Sequence, residues 1–201
     1  MKKVMCCVML AILGCLTLQA EEAYMKGAIA ELYLSEKDVD VPSGLARARA
    51  LCVGNTFGPA GYVSNKKFTA TLDALDEEQE LVVVWKGIIH IEKAGSYEFS
   101  MRFASPRHQN WRGIRAGLKL DGKDIIKIAQ DMRDDKSKRP RLDVKEVNLT
   151  EGYIPIIVYC SLNPYIVKHT PEYCTPIITV NKAGGLDTDE KNISPAEMFH
   201  K

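Results

Sequence analysis

The feature that most restricts this chain is a two-residue rhythm of apolar side chains, strongest between residues 81 and 128. Leu81, Val83, Trp85, Gly87, Ile89 and Ile91 take the odd positions of one segment, with Lys86 and His90 between them. Successive side chains of a strand point to opposite faces, so this pattern buries one face and wets the other, whereas a helix would scatter it around its circumference. Tyr97, Phe99, Met101 and Phe103 then alternate with Ser96, Glu98, Ser100 and Arg102, and Glu92-Lys93-Ala94-Gly95 between the two runs reads as a short hairpin connection. Ala116, Leu118 and Leu120 repeat the rhythm. Asp121-Gly122 follows them, the strongest two-residue hairpin signal available, and 125–129 is the expected return strand. Further strands are expected over 28–34, 142–149, 153–160 and 175–180. Pro155 has no N–H to give a ladder, which predicts an edge strand or a bulge there.

Between residues 35 and 80 the chain holds Gly44, Gly54, Gly58, Pro59 and Gly61 and reads mostly as loop, with short strands near 48–53 and 68–72. Near the end, Ser194-Pro195-Ala196-Glu197 combines an N-cap hydroxyl, a proline at the first helical position and a glutamate three residues after the cap. A single helical turn there carries Met198 and Phe199 back onto the body. No repeat and no linker divides the chain. The expected fold is all-β: an antiparallel β-sandwich over 21–201, with a long irregular N-terminal loop region and a short C-terminal helical turn.

Residues 1–20 carry an address instead of a fold. Lys2 and Lys3 precede an uncharged run over 4–18 that ends at Leu18-Gln19-Ala20, before Glu21-Glu22. This is the layout of a secretory signal, and the run is short for a permanent membrane span. Gly14-Cys15 offers a rival, a lipid-anchoring site at Cys15, although the apolar run continues through Leu18. Cleavage after Ala20 leaves Cys52, Cys160 and Cys174. Export permits a disulfide, and Cys160 with Cys174 bracket a Pro-containing stretch whose closure would stabilise by about 3 kcal/mol. Cys52 then stands alone and reads as a small buried apolar residue. The 27 Lys and Arg nearly balance 26 Asp and Glu, so no electrostatic footprint recommends nucleic acid or an acidic membrane.

Three segments in order carry a family resemblance: 27–33, then 84–99 with Trp85-Lys86-Gly87 and Ala94-Gly95-Ser96-Tyr97-Glu98-Phe99, then Leu120-Asp121-Gly122-Lys123. Together they resemble the domain first described in anthrax protective antigen and shared by flocculins, adhesins and glycosidase accessory modules. The closing segment 193–200 also resembles that family's last segment, which returns beside the first strand. The resemblance implies a β-sandwich that binds carbohydrate, or in some members packs against other protein domains, without catalysis. In its sugar-binding members an Asp-Asp pair just after the strand matching 97–103 holds calcium. This chain departs there, since 104–113 has no carboxylate. Asp134-Asp135 lies elsewhere among basic residues and reads as a solvated loop.

In place of the acidic loop stand Arg107, His108, Gln109, Asn110, Trp111 and Arg112. A tryptophan can stack on a sugar face and the flanking donors suit hydroxyls or a carboxylate, which makes this a calcium-independent ligand loop. A solvated hairpin whose tryptophan covers the rim is the plain alternative. The other motifs are weaker. His90, His108, His169 and His200 have no metal-ligand spacing, and Asp187, Asp189 and Glu190 lack the remaining ligands of a calcium loop. Gly54, Gly58 and Gly61 lack a following Gly-Lys-Ser/Thr, and Asn148-Leu149-Thr150 matches a glycosylation sequon. The sequence therefore reads as an exported, non-catalytic binding module for a cell-surface or extracellular glycan, with no cofactor. An assembly subunit or adhesin component that docks another protein is the alternative.

Overall fold

The computed structural model of the chain describes residues 24–35, 47–55, 57, 80–103, 114–130, 143–162, 176–184 and 191–201. Its strands are β1 (Met25–Lys26), β2 (Ala28–Ser35), β3 (Arg47–Cys52), β4 (Glu80–Ile91), β5 (Gly95–Phe103), β6 (Ile114–Leu120), β7 (Lys123–Gln130), β8 (Asp143–Leu149), β9 (Gly152–Leu162), β10 (Pro176–Lys182), β11 (Lys191–Ile193) and β12 (Phe199–His200). They form two antiparallel sheets. The larger runs β1-β12-β4-β9-β6-β7, with β2 joining β4 beside β12 and β3 lying outside β2; the smaller runs β11-β10-β5-β8. The expected all-β sandwich is what the chain builds.

The alternating residues make the interior. Trp85, Phe99, Leu118, Ile126, Ile156 and Ile178 are fully buried, and Phe57 meets Trp85 edge-on at 5.5 Å. Burying each such side chain contributes about 1.5–3 kcal/mol, which is why the two inner faces close on each other. On the outer face of the larger sheet the Tyr159 ring lies over Gly117 so closely that a Cβ there would sit 2.2 Å from the ring. Gly87 gives the same close approach to Met198.

Two connections differ from the sequence expectation. The segment after β4 is no hairpin: β4 pairs with β2, β9 and β12, whereas β5 pairs with β8 and β10. Glu92–Gly95 thus carries the chain from one sheet to the other. Alternation marks which face is buried, and strands that face each other across the core share that signal with strands that pair side by side. Pro155 is likewise neither on an edge strand nor at a bulge, since β9 lies between β4 and β6. It sits one residue beyond Ile156, the last partner of β6, and its carbonyl accepts the Asp121 N–H at 2.9 Å. Amide and carbonyl of one strand residue point to the same side, so the missing N–H faces the end of β6, and the β4 ladder is not interrupted. The register slip falls instead between Leu118 and Lys119 of β6.

Other local readings are met. Leu120 pairs with Lys123 across Asp121-Gly122, whose φ values of 47° and 74° are those of a tight hairpin with two left-handed residues. Pro195–Glu197 forms one 3-10 turn after Ser194, with the Glu197 carboxylate accepting from the Ser194 N–H at 3.1 Å. Met198 is fully buried, its carbonyl accepts from Gly27, and β12 returns beside β1. Cys52 is a buried free thiol, as expected. The short strand near 48–53 is β3; the one near 68–72, the signal segment 1–20 and Cys15 lie outside the described residues.

The pairing registers sort the strand ends. Ser35 faces Glu80, Leu81 faces Leu162, Ile114 faces Gln130, Phe103 faces Pro176 and Met101 faces Asp143. Segments 36–46, 104–113, 131–142 and 163–175 therefore all depart from and return to one end of the sandwich, here the loop end. At the opposite turn end the connections through 92–94, 121–122 and 150–151 are short, and the longer segment 183–190 also departs from and returns to that end.

Candidate functional site

The six candidate ligand residues, Arg107, His108, Gln109, Asn110, Trp111 and Arg112, lie outside the described residues, and so does His169. What is described is their frame. Segment 104–113 leaves β5 of the smaller sheet at Phe103 and enters β6 of the larger sheet at Ile114. It therefore connects the two sheets at the loop end, where the connections that carry Asp134-Asp135 and Cys174 also begin and end; those residues too lie outside the described ones.

The turn end carries a cavity of about 690 Å³. Its apolar floor comes from Ile89 and Ile91 at the end of β4 and Ile193 of β11, all buried. Tyr97 of β5 stands against this floor, with its hydroxyl donating to the Lys93 carbonyl at 2.6 Å. Among the described residues, Lys26, Lys93, Lys182 and Lys191 line it against Glu92 and Glu197, and Lys191 pairs with Glu197 at 3.4 Å. His90 and Phe199 belong to the lining and also to a cluster of rings beside it. There Tyr153 stacks on Tyr24 at 4.4 Å and 22°, approaches His90 at 4.8 Å and meets Phe199 edge-on at 5.8 Å. Tyr153 remains 47% exposed, and through His90 and Phe199 the ring cluster adjoins a cationic, partly apolar recess.

No family profile matches the chain, and no curated protein matches it. Solved structures do. An anti-sigma factor domain-containing protein is 15% identical with a TM-score of 0.52 over 89% of this chain and 49% of that one, so this chain spans about half its length. The PA14 domain of the MpAFP antifreeze protein is 9% identical, with a TM-score of 0.51 over 89% of this chain and 92% of that domain. The chain has a PA14-like fold. A PA14 sugar-binding domain from an RTX adhesin is a more distant match, 14% identical with a TM-score of 0.46 over 88% of this chain and 99% of that domain. At such identities the likeness is one of fold.

Within this PA14-like fold the remaining sequence candidates scatter. His200 is tied down, its Nδ1 3.2 Å from the Gly27 carbonyl oxygen. Cys160 is fully buried on the inner face of β9, its Sγ in thiol contact with the Ser161 carbonyl at 3.8 Å. Cys174, its expected partner, and the acidic group Asp187, Asp189 and Glu190 lie outside the described residues. Asn148 of the sequon is exposed on β8. Glu31, only 1% exposed, is held by Lys86 at 2.8 Å, Arg49 at 3.2 Å and the Tyr33 hydroxyl, a structural charge cluster on the outer face of β2. Sequence reasoning missed the ring cluster of the turn end. Tyr153 and Phe199 sit far apart in the chain, and only the return of β12 beside β4 joins them.

Proposed function

We propose that the protein is an exported, non-catalytic carbohydrate-binding module that holds its glycan without calcium, through Arg107, His108, Gln109, Asn110, Trp111 and Arg112 at the loop end. The observation that carries this reading is the PA14-like sandwich in which segment 104–113 spans from β5 to β6. A stacking tryptophan among guanidinium and amide donors suits sugar hydroxyls or a carboxylate, and the stretch has no acidic residue to hold calcium.

Glycan-array screening of the protein, with and without chelator, tests it. Binding is expected to survive chelator and to be lost in Trp111→Ala. Chelator-sensitive binding overturns the calcium independence, and an array without signal at micromolar protein favours the alternative, docking of another protein at a surface assembly. Export and cleavage after Ala20 predict a mature chain beginning at Glu21, read by mass; a lipid-modified Cys15 would replace that assignment. Oxidation after export would join Cys160 to Cys174, leaving Cys52 as the one thiol titrated in denaturant.

A further inference from the structure

Beyond the loop-end site, we propose that the turn-end cavity is a second saccharide site, selective for an anionic sugar, carboxylated or sulfated. Its charge points to the ligand. Lys191 and Glu197 satisfy each other at 3.4 Å, and Glu197 also accepts from Ser194. Among the described lining residues that leaves Lys26, Lys93 and Lys182 opposed by Glu92 alone in a recess open to solvent. An anion entering there meets these cations at close range, and the low-dielectric isoleucine floor strengthens that attraction.

The rings supply the other half of the recognition. A pyranose has an apolar face of C–H groups and a rim of hydroxyls, a pattern that needs a flat aromatic surface beside polar groups. Tyr153 offers such a surface. Its ring is propped by Tyr24 at 4.4 Å and by the perpendicular Phe199 at 5.8 Å, so little side-chain freedom is left to lose on binding. His90 touches Tyr153 and lines the cavity, joining platform to recess. A concave recess does not suit a flat protein partner, and a formal net charge of +1 gives no overall electrostatic footprint for nucleic acid.

Calorimetric titration of the protein with four probes tests the site: a galacturonate trisaccharide, a sulfated galactose trisaccharide, the neutral galactose trisaccharide and a short polyglutamate peptide. At least one anionic trisaccharide is expected to bind tenfold or more tightly than the neutral one and the peptide; which of the two leads identifies the acid group. The double variant Lys93→Glu, Lys182→Glu should weaken that binding at least tenfold, and Tyr153→Ala should weaken it several-fold. Lys93 and Lys182 are exposed and, among the described residues, make no ring contact, so unchanged melting is expected to accompany the double variant. Trp111→Ala should leave the titration unchanged. Equal binding of the neutral sugar or of polyglutamate overturns the proposal, as does binding insensitive to the turn-end variants or lost with Trp111→Ala. No binding by any probe, with Trp111-dependent array signal intact, removes this second site alone. Turn-end binding with a silent Trp111→Ala comparison on the array removes the loop-end site alone.

Discussion

The two ends of the sandwich are built by opposite means. At the turn end the chain reverses through as few as two residues, and the connections are determined by local chemistry: Asp121 and Gly122 at φ 47° and 74°, Gly152 at 124° after β8, and the 3-10 turn that returns β12 to β4. At the loop end four long segments leave from strand ends held in register by pairs such as Phe103 with Pro176. The short turns leave few side chains to vary, so recognition beside them draws on residues of the strands themselves, such as Tyr153, His90 and Phe199. Long segments leave the strands free to pack and put recognition on the loops. A scaffold with both kinds of end can carry two sites that do not compete for the same residues.

The sharpest difference is expected in thiol chemistry. Cys52 lies at the turn end, paired with Ala28 in register, and burial pushes its thiol from an ordinary 9.0 up to about 12. At pH 8 the thiolate fraction is then lower by about a thousandfold than at the ordinary value, and only the thiolate is the nucleophile. Alkylation of native protein at pH 8 should leave Cys52 unmodified on a timescale that completes it in denaturant, as read by mass spectrometry of the Cys52 peptide. Fast native labelling would mean that β3 opens, and that the turn end is not the rigid one.

Backbone changes should separate the ends next. Gly122→Val forces a β-branched side chain into φ 74°, at a cost of about 1–2 kcal/mol. Doubling the number of residues between Gln130 and Asp143 costs about 0.6 kcal/mol by closure entropy. Urea unfolding of the two variants should rank them in that order. An insertion more damaging than Gly122→Val would show that the loop end holds the sheets together, reversing the comparison.

The same division decides what could be read from the sequence. Side-chain alternation identified β4 to β7 and the buried Trp85, Phe99 and Leu118, because burial on one face writes itself directly into a period of two. Asp121-Gly122 and Ser194 to Glu197 were legible because their geometries admit few residue types. Sheet membership was not, as β4 and β5 show: both present odd-numbered apolar residues to one core from opposite sheets. Pro155 misled because a proline's missing donor matters only on the side it faces, and that side depends on where β6 ends. For the candidate sites, the loop-end residues are contiguous in sequence and could be proposed from it, whereas the turn-end rings come from β4, β9, β12 and the residue before β1, and only the fold assembles them.

The smallest effect expected tests whether surface charge adds to the turn end's rigidity. Asp124, at the start of β7, is held below the usual carboxylate range, chiefly by its hydrogen bond to Lys127, with desolvation opposing and Lys119 adding to the lowering. The distances are 3.0 Å and 3.4 Å, and the carboxylate is 37% exposed, so solvent screens both pairs. Its folded-state pKa lies below the unfolded one. The stabilisation is therefore present above the unfolded value and is lost as pH falls through the folded one. Exposed pairs of this kind contribute about 0.2–1 kcal/mol, and Asp124→Asn should lower stability at pH 7 toward the bottom of that range. The difference between variant and parent in urea midpoint should vanish once the pH has fallen below the folded value and shrink in 1 M salt, by roughly the screening that a Debye length of about 3 Å imposes. A difference that persists at both would assign the effect to packing at the β6–β7 hairpin instead of charge, and the turn end would owe its stiffness to backbone geometry alone.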